Sequence, residues 1–252
     1  MPEMQTQIRI AGYTDTGMRR EYNQDHIGFD QDLGIAVLAD GMGGHKAGEV
    51  AAHMTVKFVL EKMQKLVLQE TSVSITGSQL LEFVSNTISS SNTEIFRAQE
   101  EEEAYMGMGT TIVATMVVGS QLYVGHVGDS RLYLYRNRTV KRLTKDHSLV
   151  QDLIDRGFYT EREARGANVG HVVTRAMGTK LDVEVDTAEI ALLPYDLLLL
   201  CSDGLTDMVS DWQIAEVIDE NCTDLEMAAK KLIALANQNG GKDNISVILM
   251  QT

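Results

Sequence analysis

Apolar positions along the chain change period several times, and those changes predict the elements. Residues 8–14 and 26–39 read as strands, the second region ending in the buried run Ile35-Ala36-Val37-Leu38-Ala39. Helical spacing of Ala47, Ala51, Met54 and Phe58 predicts a helix from Lys46 to Leu68. A second helix follows, with Ser78 as its cap and Leu81, Val84, Ile88 and Ile95 as its apolar stripe. From Thr110 to Val140 the pattern alternates, with turns at Gly119-Ser120 and Gly128-Asp129, and predicts a central meander. Between His147 and Met177 the chain is more polar. Gly157 ends one short helix there, and a capping box over Thr160 to Glu163 opens another. This stretch, about 147–177, reads either as a flap beside a site or as a helical excursion of structural value only.

Strands resume at about 183–192 and 196–202. Helices return at 211–220, opened by a Ser210/Gln213 capping box, and at 224–238, closed by Gly240-Gly241, before a last strand from Ile245 to Met250. Helices come in adjacent pairs separated by runs of strands, without regular βαβ alternation. That order predicts an α+β fold of antiparallel sheets covered by helix pairs.

Composition narrows the picture. The 252 residues are 44% hydrophobic and contain only two prolines, Pro2 and Pro194, so one large core with no extended linker is expected. A formal charge of −14 disfavours nucleic acid and anionic membrane as partners. No apolar run approaches the ~20 residues that span a bilayer, and the N-terminus has no secretory pattern. Cys201 and Cys222 are too few for a disulfide framework, and Cys201 lies in an apolar run as an inert core thiol. These features together predict a cytoplasmic, monomeric protein that does not insert into membranes.

The candidate chemistry sits in turns. Asp25, Asp40, Asp129, Asp203 and Asp243 lie in NQD, ADGMGG, VGDSR, SDG and GGKDN, each at the edge of an apolar stretch. A lone Asp before Gly is ordinarily a turn former. Five of them at strand ends read jointly as a carboxylate metal site, assembled only by the fold. Aspartates without paired His or Cys suit hard cations such as Mg²⁺ or Mn²⁺. Two such ions roughly 4 Å apart can bridge one water, lower its pKa and aim it in line at phosphorus. No P-loop, G-x-S-x-G elbow or Cys-x5-Arg cradle offers a different chemistry.

In order along the chain, RREYNQD (19–25), ADGMGGHKAGEVA (39–51), MGTT (108–111), HVGDSRLY (126–133), LTKDHSLV (143–150), LLLLCSDGLTDM (197–208) and GGKDNISVIL (240–249) resemble the metal-dependent protein phosphatases of type 2C in their compact bacterial form. The resemblance spans essentially the whole chain, 1–252, as one catalytic domain. It implies a four-layer α-β-β-α sandwich and hydrolysis of phosphoserine and phosphothreonine by a metal-bridging hydroxide. It further implies opposition to a eukaryote-like Ser/Thr kinase and that kinase's phosphorylated substrates.

Carried over by position, the resemblance implies that Asp40 and the Gly41 carbonyl bridge two Mn²⁺ or Mg²⁺ ions. Asp203 and Asp243 would complete one ion, and Asp25 would approach the other through water. Asp129 with Asp203 would hold a third, weaker ion. Arg20 would clamp the substrate phosphate with its guanidinium fork. His45 is a candidate proton donor to the leaving alkoxide, a role that metal-bound water can also fill. Asn244 would support the metal turn through its amide. His126 reads as a core histidine satisfied by a hydrogen bond, Thr110 and Thr111 as strand residues, and Asp207 as a local helix cap. GANVGHVVTRAMG departs from the family's usual approach to this stretch, which leaves the flap's conformation open. Retention of every expected metal aspartate argues against a silent phosphoprotein-binding relative. The NQD turn with its arginine, and the lack of an attached sensor, argue against a dedicated stress-switch phosphatase. A broad small-molecule phosphatase remains a weaker alternative.

Overall fold

A computed structural model describes residues 8–44, 47–69, 75–160, 163 and 172–252. The strands are β1 (Arg9–Asp15), β2 (Asp25–Asp30), β3 (Ile35–Met42), β4 (Gly109–Thr110), β5 (Ile112–Val118), β6 (Gln121–Val127), β7 (Arg131–Arg136), β8 (Thr139–Arg142), β9 (Asp186–Ala191), β10 (Leu197–Cys201) and β11 (Ile245–Gln251). The helices are α1 (Ala47–Gln69), α2 (Gly77–Glu101), α3 (Leu149–Asp155), α4 (Asp203–Thr206), α5 (Asp211–Asn221) and α6 (Leu225–Gln238). None of these is long and apolar enough to cross a membrane.

The strands form two antiparallel sheets, in the orders β1-β11-β10-β7-β8 and β2-β3-β5-β6-β9, with the short β4 paired to β3. Successive side chains of a strand point to opposite faces, and here the central strands of each sheet are buried on both faces. Leu197, Leu199 and Cys201 of β10 pack with Leu232 and Ala236 of α6, whereas Leu198 and Leu200 pack with Leu38 and Val113 of the other sheet. β3 divides the same way: Val37 and Ala39 meet α1 and α2, while Ala36 and Leu38 face the opposing sheet. Three apolar layers follow, one between the sheets and one under each helix pair. The expected α-β-β-α sandwich is thus the observed fold. It also explains why the central strands read as continuous apolar runs, since neither face meets water.

Local chemistry sets the helix ends. Ser78 is not the cap of α2. Thr76 takes that position because Gln79 answers it in a capping box, Thr76 N–H donating to Gln79 Oε1 at 2.9 Å. Ser210 and Gln213 open α5 with the box expected of them. Asp224 caps α6 by accepting the Met227 N–H, and Ser148 caps α3. Thr160 and Glu163 exchange capping-box hydrogen bonds, while the helix they were expected to open lies outside the described residues.

The stretch from Thr110 to Val140 is not one meander. β5 and β6 form a hairpin in one sheet, β7 and β8 a hairpin in the other, and the chain crosses between sheets at Gly128-Asp129. Gly128 has φ +110, and a Cβ there would lie 2.6 Å from the Thr111 side chain. Glycine permits both the crossing and the close approach.

Candidate metal centre

The five aspartates gather at one end of the sandwich. Asp25 opens β2 and Asp40 stands opposite it near the end of β3. Asp129 follows β6 at the sheet crossing, Asp203 follows β10 as the first residue of α4, and Asp243 precedes β11, the partner of β10. Both sheets therefore contribute carboxylates to the same edge.

Asp25 and Asp129 are buried, whereas Asp40, Asp203 and Asp243 keep part of their surface open. Burial lifts Asp25 to about 6. Burial and the neighbouring charges of Asp25, Asp203, Asp129 and Asp243 lift Asp40 well above the usual carboxylate range. Asp203 is raised likewise by burial and by Asp129, Asp207, Asp243 and Asp25. Asp129 rises to about 6 through burial and Asp146. Like charges in a water-poor site hold a proton unless a cation replaces it.

Hydrogen bonding completes only half of the cluster. Ser202 Oγ donates to Asp25 Oδ2 at 2.8 Å, yet Asp25 Oδ1 and Asp203 Oδ1 are buried without a hydrogen-bond partner. Orphaned buried carboxylate oxygens are costly. An all-oxygen donor set with spare anionic lone pairs fits a hard divalent cation.

Surrounding residues position the acids. Asp40 N–H donates to Thr111 Oγ1 at 3.0 Å, while its carbonyl accepts from Thr111 N and Thr110 Oγ1, both at 2.8 Å. Thr110 and Thr111 are thus more than strand residues, a role that needs their register against Asp40 to be seen. A Cβ at Gly41 would lie 2.1 Å from the Gly48 carbonyl, so α1 packs directly on that turn. Asn244 accepts the Gln24 N–H and donates to the Thr16 and Tyr22 carbonyls, tying the loop that carries Arg20 to the start of β11. Arg20 Nη2 lies 2.7 Å from Asp243 Oδ2 and its side chain is half exposed. His45 lies outside the described residues. Asp207 closes α4 at its C-terminal end rather than capping an N-terminus, and its charge acts on Asp129 and Asp203. Asp146, likewise near Asp129, is held by the Arg131 guanidinium at 2.6 Å.

His126 is buried and donates from Nε2 to the Gly128 carbonyl, as its place in a core strand predicts. His147 accepts the Gly128 N–H at Nδ1. Burial, with His147 beside it, lowers His126 to about 4, so it stays neutral and acts as a brace for the turn before Asp129. A groove of about 740 Å³ lined by Arg138, Val140, Trp212 and Glu216 lies elsewhere and holds none of the five carboxylates.

Two helix-flanked antiparallel sheets thus bring five carboxylates to one edge of the sandwich. A family model described as "Protein phosphatase 2C" matches residues 18–249. The serine/threonine phosphatase stp of Listeria monocytogenes serotype 4b is 38% identical over 241 residues, covering 94% of this chain and 93% of that protein. The crystal structure of the Mycobacterium tuberculosis serine/threonine phosphatase PstP/Ppp superposes with a TM-score of 0.86 at 34% identity, covering 97% and 98% of the two chains. A PstP catalytic domain in complex with two manganese ions superposes with a TM-score of 0.83 at 34% identity, covering 97% of each. The chain belongs to the protein phosphatase 2C family.

Proposed function

We propose that this protein phosphatase removes phosphate from phosphoserine and phosphothreonine in proteins, depending on Mn²⁺ or Mg²⁺. The observation that carries the reading is the pair of buried, unpartnered oxygens, Asp25 Oδ1 and Asp203 Oδ1, within a cluster of five aspartates. Asp40 and the Gly41 carbonyl would serve two core ions, Asp203 and Asp243 one of them, and Asp25 the other through water. Asp129 with Asp203 would hold a third. Bound there, the ions supply the charge that activates water for in-line attack at phosphorus and offsets the charge developing on the phosphoryl oxygens.

The chain's own residues then bind and orient. Arg20, held at the rim of the cluster by Asp243, offers a planar fork matched to two phosphate oxygens. His45, on its place in the sequence, or water would supply the leaving-group proton. No nucleophilic side chain is needed, so phosphate passes to water without a covalent enzyme intermediate. The names of the relatives, serine/threonine phosphatases, support the substrate class. The same reading makes the chain a single domain and a monomer of the cytoplasm, opposing a eukaryote-like Ser/Thr kinase. Free Cys201 and Cys222 agree with a reducing compartment.

The test is phosphate release from a phosphothreonine peptide, compared with sugar phosphates, under Mn²⁺ and under chelator. Release from the peptide that stops with chelator and returns with Mn²⁺ is expected. Chelator-resistant release, or a preference for sugar phosphates, would overturn the proposal.

A further inference from the structure

Ion-binding chemistry on this chain extends beyond the carboxylates. His26 follows Asp25 on β2 and so points to the other face of the strand. His53 lies exposed on α1, which packs against that face. Their ring nitrogens, His26 Nε2 and His53 Nδ1, stand 3.2 Å apart with the rings at 76°. Two imidazole nitrogens each about 2.0–2.1 Å from one ion are separated by roughly 2.8–3.0 Å at an octahedral angle and roughly 3.3–3.4 Å at a tetrahedral one. The observed spacing lies close to that of a two-histidine bite; it is also an N–H···N hydrogen bond between the two rings, whose shared proton an ion would displace. Glu49, exposed and one helical turn before His53, lies on the same face of α1, and its charge acts on His26.

A second group looks more complete. His126, His147 and Asp186 place ligand atoms within 4.8 Å of one another. Arg175 already fills that space, its Nη1 lying 2.6 Å from Asp186 and 3.0 Å from His147 Nε2. The Gly128 N–H also occupies His147 Nδ1, which leaves the ring proton on the nitrogen that would have to bind. Asp186 is thereby already paired with the guanidinium and with the Nε2 proton of His147. Among the described residues, the charges that act on His26 are those of His53 and Glu49.

We propose that His26 and His53, with Glu49 swinging in as the anionic ligand, form a surface site for a borderline divalent ion such as Zn²⁺, distinct from the oxygen-only cluster. Imidazole selects zinc and copper over magnesium, whereas carboxylates favour the hard ions. An ion held there would staple β2 to α1 one residue from Asp25.

Cu²⁺ is the probe, because nitrogen ligands give hyperfine splitting in electron paramagnetic resonance and oxygen ligands do not. Tag-free protein in excess Mg²⁺ with one equivalent of Cu²⁺ should show coupling to two nitrogens, and H53A should abolish it. His53 is exposed, so this variant keeps its fold; H26Q serves as a second, independent removal. Calorimetric titration with Zn²⁺ should show roughly a tenfold or greater loss of affinity in H53A. Absence of nitrogen coupling in the wild type, or coupling that persists unchanged in H53A, would overturn the site. Both readouts are independent of phosphatase activity, so failure here leaves the functional reading untouched.

Discussion

Asp25 and Asp40 are register partners across β2 and β3, which sets two carboxylates side by side where the strands meet the cluster. Burial raises Asp25 to about 6, and burial followed by the Asp25 charge raises Asp40 well above its ordinary range. In the unfolded chain both release their protons near pH 4. The folded, metal-free protein therefore binds more protons, and these groups contribute stability that is full below about pH 4 and falls as pH rises, through about 6 for Asp25 and through the raised range of Asp40. A divalent ion takes the place of those protons. Mn²⁺ should accordingly raise the melting temperature more at pH 7.5 than at pH 5, as measured by thermal melts with Mn²⁺ and with chelator. An increment that shrinks toward neutral pH would contradict this account.

Asp203→Asn removes one charge and keeps the shape. Hydrolysis of p-nitrophenyl phosphate in Mn²⁺ should fall by at least about 100-fold, the upper end of what loss of a mere outer partner of a ligand costs. In chelator at pH 7.5 the variant should resist urea as well as the wild type or better, because Asp129, Asp207 and Asp243 lose a like-charged neighbour. Turnover that survives the substitution would rule Asp203 out as a ligand.

Arg20→Ala separates the two partners of that side chain. If the guanidinium binds phosphate in ground and transition states alike, KM for a phosphopeptide should rise roughly tenfold, about 1.4 kcal/mol, with kcat little changed. Steady-state kinetics decide the matter. An unchanged KM would leave Arg20 as the partner of Asp243 alone.

Gly128→Ala tests the sheet crossing. The left-handed backbone costs a substituted residue about 1–3 kcal/mol, and the new methyl also meets Thr111, whose hydroxyl receives the Asp40 N–H. Both the urea midpoint and turnover should fall. Gly119→Ala is the control: its φ is +61, but nothing lies within 4 Å of the added carbon. It should lose only about 1 kcal/mol of stability and keep full turnover. Equal behaviour of the two variants would show that the Gly128 contact does not reach the cluster.

Near-neighbour physics was readable from the residues in order. Runs such as Leu197 to Cys201 announced strands buried on both faces, Ser210 with Gln213 announced a helix start, and Asp-Gly turns marked where carboxylates would stand. Each depends on contacts within a few positions of the chain. What lay beyond reach depends on register across long separations. That Thr110 and Thr111 grip the backbone of Asp40, that Arg20 rests on Asp243, and that Asp146 and Asp207 crowd Asp129 follow from strand pairing that no local pattern encodes. The crossing at Gly128 looked like a hairpin because a glycine turn has the same local chemistry whether the chain returns to its own sheet or passes to another. Ser78 reads as a cap from its residue type alone, and the Gln79 side chain gives that position to Thr76 instead. The sequence alone therefore determined the acids, the helices and the kind of chemistry. Packing of two sheets face to face decided which backbone holds each acid and which oxygens remain without a partner.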